Sequence, residues 1–245
     1  MKILEIKGFS KQYKKAKKVV NNISVTVESG DLYAFIGHNG AGKSTTIRSC
    51  VGILDFDEGD ILIDGLSIKS NPVECKSKFA YIPDNPDLYE HLTGIGYLNF
   101  IADIFNIPVI QREDDIKKYS NEFEITGNLG DLISSYSHGM KQKLAIIGAL
   151  IHHPKLMILD EPFVGLDPKA TVVLKKCMKE LCSQGGAVFF STHVLDTAEK
   201  LCNKVSMINN GKIVVSGDME SVRGKASLED IFMEKISTGE AGNEK

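Results

Sequence analysis

The sequence predicts an α/β protein whose mainly parallel sheet is interrupted by a helical insert, and three observations carry that expectation. Short apolar runs, "LYAFI", "KLMILD", "AVFFST" and "KVSMIN", alternate with segments of helical periodicity, the pattern that lays helices on the faces of a parallel sheet. From Pro86 to Pro154 no convincing strand pattern remains and helical periodicity takes over. At 245 residues and 42% hydrophobic content, the chain can bury a sizeable core without disulfides.

Taken in order, "ILEIKGF" and "VVNNISVTVE" read as strands, and Ser29-Gly30-Asp31 turns the chain into the buried strand "LYAFI". A helix is expected from about Lys43. "LDFDEGDILIDG" then gives a turn, a strand and an Asp-Gly bend, and its acidic residues miss the calcium-loop spacing. After the insert, Pro168 to Cys182 reads as a helix between strands, and "KVSMIN" and "KIVVSG" form a hairpin around Asn209-Asn210-Gly211. The tail "STGEAGNEK" is polar and expected to be disordered.

Composition removes several classes of function. The longest stretch free of Asp, Glu, Lys and Arg, Leu181 to Leu195, has 15 residues, short of the roughly 20 a spanning helix needs. Glu5 and Lys7 break any signal-peptide core, and the five cysteines are scattered with no C-x-x-C pair. A reduced, cytoplasmic chain is expected. Its net charge of −3 gives no general pull toward nucleic acid. The lysine run "KQYKKAKK", residues 11 to 18, reads as a solvated loop between strands, and no nucleic-acid partner is expected.

"GHNGAGKST", residues 37 to 45, fits G-x-x-x-x-G-K-[ST] between a predicted strand and a predicted helix. Glycines there let successive backbone N–H groups converge on phosphate oxygens, and the helix N-terminus adds positive partial charge. Gly37, His38, Asn39, Gly40, Ala41 and Gly42 form the cradle. Lys43 is expected to reach the β- and γ-phosphates of a nucleotide, Ser44 to bind Mg²⁺ and Thr45 to support the backbone. In "LMILDEP", Asp160 and Glu161 emerge at the C-terminal end of a strand buried on both faces, the sheet edge where ligands bind. Asp160 would hold the metal through a water, and Glu161 would orient or deprotonate the attacking water.

From about Ile3 to Gly217 these motifs resemble the nucleotide-binding subunits of ABC transporters. The resemblance implies a P-loop NTPase of ABC type. Such a fold has a mainly parallel core, an N-terminal antiparallel β region and an inserted α-helical subdomain. It would place the ATP-binding core in residues 1–83 and 154–222, the helical signature subdomain in 84–153, and a tail helix with a disordered end in 223–245. "YSHGM", residues 136 to 140, stands where the family has LSGGQ, with His138 and Met140 departing from that pattern. By resemblance, Ser137 and Gly139 face the γ-phosphate held by a partner chain in a head-to-tail dimer. His193 matches the switch histidine, Asp167 of "VGLDP" the D-loop residue that couples the two sites, and Tyr13 the aromatic that stacks on adenine. Asp84 in "YIPDNPDLY" replaces the Q-loop glutamine. It keeps a water-mediated path to Mg²⁺ and loses the amide donor.

The family expectation is therefore an ATPase subunit, with ATP and Mg²⁺ as cofactors, paired with a second copy or a paralogous ATPase. It would sit on the inner face of the cell membrane through a transmembrane permease. "SLEDIF", residues 227 to 232, and the acidic Q-loop position resemble ATPases of small exporters, although "SLEDIF" reads equally as an amphipathic tail helix. A soluble ABC ATPase serving a non-membrane assembly, such as iron–sulfur cluster biogenesis, would share every motif.

Overall fold

Two sheets divide the strands of the computed structural model, which describes residues 1–13, 18–224 and 226–240, with side chains through Lys235. β1 (Lys2–Gln12) pairs antiparallel with β2 (Lys18–Glu28), and β3 (Leu32–Ile36) follows the turn at Gly30 into the second sheet. α1 (Lys43–Cys50) leaves the glycine loop, and β4 (Glu58–Ile63) returns beside β1. Asp64 and Gly65, at φ of 51° and 80°, close β4 onto the short β5 (Leu66–Ser67), the two-residue geometry that suits strand twist. The first sheet, ordered β2-β1-β4-β5, is antiparallel throughout.

α2 (Pro72–Lys76) leads to β6 (Phe79–Ile82), the edge of the second sheet. Then come α3 (Gly94–Ile104), α4 (Val109–Glu122) and α5 (His138–Leu150). Among the described residues between β6 and β7 (Leu156–Asp160), the extended pairing is one isolated bridge, Thr93 to Leu132. α6 (Pro168–Ser183), β8 (Ala187–Thr192), α7 (Leu195–Leu201), β9 (Lys204–Asn209), β10 (Lys212–Asp218), α8 (Met219–Arg223) and α9 (Leu228–Glu240) complete the chain. The second sheet runs β10-β9-β3-β8-β7-β6, parallel except where β10 folds back on β9 through Asn210 and Gly211, both at positive φ.

Burial on both faces explains why the parallel strands read as unbroken apolar runs. Leu32, Ala34 and Ile36 of β3, with Met157 and Leu159 of β7 and Val188 and Phe190 of β8, enter a core shared with the helical insert and α6. Their alternate neighbours Tyr33, Phe35, Ile158 and Phe189 enter a second core against the antiparallel sheet and α1. One strand thus feeds two cores.

One expectation needs amendment. α9 continues to Glu240, so the first four residues of the tail expected to be disordered are helical; residues 241–245 lie outside the described ones. Of the lysine run, residues 14–17 also lie outside. At its ends Lys11 and Lys18 face Asp57 and Glu58 at 4.0 and 2.6 Å. The short β5, α2 and α8 carry no periodic signal in the sequence. Among the described residues, no helix is long and apolar enough to cross a membrane.

A groove of about 310 Å³ separates the β6 edge from the insert, lined by Tyr81, Pro83, Leu88, Tyr97, Phe105 and His152 among others. The His152 ring stacks on Phe105, 3.8 Å between centroids and 5° from parallel. Burial pushes its pKa down to about 4, with neighbouring His153 adding to the shift. The unfolded chain takes up this proton near 6.5 and the folded chain only near 4. Between those values the folded state binds fewer protons, so stability should decline as pH falls through that window, by on the order of 3 kcal/mol. Urea midpoints measured from pH 7 to pH 4 should show the decline, and His152→Phe should flatten it.

Candidate functional site

Because β3, β8 and β7 are parallel neighbours, their C-terminal ends deliver three loops to one edge: Gly37 onward, Thr192-His193, and Asp160-Glu161. The first loop is shaped by what stands behind it. A methyl group at Gly37 would lie 2.6 Å from the Ile208 carbonyl oxygen, so only glycine fits. The Gly211 amide donates to the Ala41 carbonyl at 3.0 Å, which fastens the loop to the β9–β10 turn. His38 spans the same gap, with Nε2 at 3.0 Å from Asn209 Oδ1 and Nδ1 at 2.7 Å from the Asn39 carbonyl.

α1 begins with a first turn that no side chain caps. Its N-cap, Gly42, has φ of 112° and no side chain to cap the first turn. Thr93, Ser137 and Asp167 do cap α3, α5 and α6 with their side chains. The amides of Lys43, Ser44 and Thr45 are left for an incoming anion, at the positive end of the helix dipole. They line a cleft of about 220 Å³ with Gly40, Asp84 and Glu161.

Lys43 is only 6% exposed. Its Nζ donates to the Gly37 carbonyl at 2.7 Å and lies 3.4 Å from Glu161 Oε1. That approach supplies Coulomb attraction without hydrogen-bond alignment, for Oε1 has no hydrogen-bond partner. The other oxygen, Oε2, lies 3.0 Å from His193 Nδ1. Glu161 is held between two nitrogen groups, and its backbone sits at φ 48°, a left-handed conformation that strains a residue with a side chain.

Asp160 is completely buried. Its Oδ1 accepts from Ser191 Oγ at 2.5 Å, and Ser191 Oγ in turn accepts from the Glu161 amide at 3.0 Å. Oδ2 is buried with no hydrogen-bond partner. An orphaned carboxylate oxygen is costly, and its place at the C-terminal end of β7 fits a ligand to a hydrated divalent cation. The described residues gather no cage of three acidic, His or Cys side chains. Further ligands for Mg²⁺ would come from nucleotide and water.

The remaining candidates divide. Asp84 reaches the cleft but is half exposed, with Oδ1 3.8 Å from Arg48 Nη2. Tyr13 stands at the open end of β1, 43% exposed, its ring 5.5 Å from Lys11 Nζ and outside the cleft lining. Ser137 caps α5 through the Met140 amide at 3.3 Å. Gly139 and Asp167 belong with it in a second cluster, also outside the cleft lining. Sequence motifs alone miss Ser191. Its one signal is a hydroxyl ending the apolar run of β8.

The chain matches the ABC transporter family model over residues 20–164. It is 35% identical to the ABC-type transporter ATP-binding protein EcsA of Bacillus subtilis (strain 168), covering 100% of both chains. Against the lipopolysaccharide export system ATP-binding protein LptB of Haemophilus influenzae it is 30% identical, over 95% of this chain and 98% of that one. A solved ATP-binding subunit of an ABC transporter superposes with a TM-score of 0.91 and 35% identity, over 96% of this chain and 99% of that chain.

Lys43→Ala should weaken ATP binding by about ten- to a hundredfold, the worth of a charge-assisted hydrogen bond, as measured by calorimetric titration. Ser191→Ala strips Asp160 and the Glu161 amide of their shared partner. It should cost about 2 kcal/mol in urea unfolding and slow hydrolysis by on the order of tenfold or more through misplacement of Glu161.

Proposed function

The chain belongs to the ABC transporter ATP-binding family and is an ATPase, and from this premise we propose that two copies close head to tail around two Mg²⁺-ATP to drive a separate transmembrane subunit. The observation that carries the pairing is an asymmetry within one chain. Lys43, the α1 amides, Asp160, Glu161 and His193 gather at one sheet edge. The start of α5, with Ser137 and Gly139, is absent from that cleft lining. A second copy turned head to tail supplies its helix start as the missing set of amide donors.

In this mechanism the α1 amides and Lys43 bind the β- and γ-phosphates. Ser44 and, through a water, the free oxygen of Asp160 would hold Mg²⁺, which when bound would neutralise developing phosphate charge. Glu161 Oε1, near the cleft and unbonded, orients the attacking water and accepts its proton. His193 leaves Glu161 for the γ-phosphate, and the partner's Ser137 and Gly139 amides face that phosphate from the opposite side. Tyr13 stacks on adenine, Asp84 meets the metal through water, and Asp167 couples the paired sites. Catalysis is positioning and charge stabilisation throughout.

A permease partner accounts for the groove beside β6. Its walls are mainly aromatic and apolar, with Lys76 and Asp87 among them, and Tyr89 and Phe100, in edge-on contact at 5.5 Å, stand exposed on the insert. Docking there places the chain on the inner face of the membrane. Export is the direction we infer, from the export role printed in the name of LptB and the acidic residue at Asp84.

With ATP, the Glu161→Gln variant should elute at twice the protomer mass by size exclusion with light scattering, and hydrolyse about a hundredfold or more slowly. A protomer mass at saturating ATP would sink the pairing. Affinity purification from solubilised membranes should bring down an integral membrane protein; a wholly soluble complex would point to a scaffold-serving ATPase.

A further inference from the structure

The start of α5 and the loop after β7 grip one another within one chain. His138, which stands where the ABC signature has glycine, lays its ring on Gly165. A methyl group at Gly165 would lie 2.6 Å from His138 Cδ2 and 2.8 Å from Nε2. Gly165 also has φ of 80°, so glycine is required there for conformation as well as space. Gly139 completes the contact, since a methyl there would stand 2.9 Å from the Gly165 carbonyl oxygen. One turn further on, Lys143 Nζ lies 2.6 Å from Asp167 Oδ2. That bond, together with the Ala170 amide, holds the Asp167 carboxyl below its ordinary range.

The gripped loop begins with Glu161 and is hydrogen-bonded within itself. The Val164 amide donates to the Glu161 carbonyl at 3.1 Å, and the Leu166 amide to the Phe163 carbonyl at 3.4 Å. The Phe163 ring meets Phe190 edge-on at 5.8 Å. A displacement of Gly165 therefore reaches Glu161 across a single hydrogen-bonded turn. Glycine at position 138 has no side chain to make the first contact.

We propose that His138 is a positioning residue that clamps the Glu161 loop to the start of α5, so that the phosphate met by α5 sets the Glu161 of the same chain. This rests on the head-to-tail pairing. In that pairing α5 serves one nucleotide and Glu161 the other, and the clamp links the two sites through one protomer. His138 turns its ring toward Gly165, and the backbone amides of α5 keep their access to phosphate.

Hydrogen exchange on the nucleotide-free chain reads the clamp directly. His138→Gly should speed exchange of the 162–166 amides by about tenfold, and His138→Gln, which refills the volume, should restore protection. In steady-state hydrolysis, the wild-type Hill coefficient for ATP should exceed 1, and His138→Gly and Lys143→Met should lower it toward 1. Gly165→Ala should slow turnover, and adding His138→Gly should recover part of that loss by relieving the clash, a non-additivity independent sites do not show. Unchanged exchange and Hill coefficient in His138→Gly, or an additive double variant, would overturn the proposal. The pairing is judged separately, by the mass of Glu161→Gln with ATP. Loosened exchange with a persistent protomer would uphold the contact and refute the link between sites.

Discussion

A carboxylate held between a buried lysine and a histidine organises the working edge of this molecule. Glu161 meets Lys43 on one oxygen and His193 on the other, and the three residues arrive from β7, α1 and the loop after β8. Moving any of those strand ends would break the set. Buried ion pairs gain little net stability, because desolvation offsets attraction. What this one achieves is readiness. In the proposed mechanism an entering phosphate competes for both nitrogens, and each that transfers to it loosens one oxygen of Glu161 toward water.

The helix starts show how the same physics is switched on or off by one residue. Thr93, Ser137 and Asp167 satisfy first-turn amides with their own oxygens. Gly42 satisfies none, and the loop before it is fixed by Ile208 and Gly211 behind it. The cap of α5 is an intermediate case, a hydroxyl at 3.3 Å. A phosphate oxygen is a stronger acceptor than that hydroxyl and can displace it.

Much of this was legible from the chain itself, and the reasons are local. "LYAFI", "KLMILD" and "AVFFST" announced strands covered on both sides, and the structure sends their alternate residues into separate cores. The phosphate loop was readable because its chemistry needs glycines and a lysine at fixed spacing. Ser191 was not, since a serine closing a strand acquires meaning only from the strand beside it. The Lys143–Asp167 pair and the His138–Gly165 contact join segments more than twenty residues apart, and no periodicity encodes that meeting. The tail misleads because its polar composition predicts a lack of structure. Its preceding turns, where Leu228 is buried and its amide donates to Glu199, carry the helix onward to Glu240.

The left-handed backbone at Glu161 has an evolutionary corollary. A side chain in that conformation costs roughly 1–2 kcal/mol, and glycine or asparagine would adopt it more comfortably. Pressure for thermal robustness alone would push this codon toward those residues, at the expense of the carboxylate that the proposed mechanism uses. Glutamate in this strained position accords with the role proposed for its carboxylate, which neither glycine nor asparagine could fill.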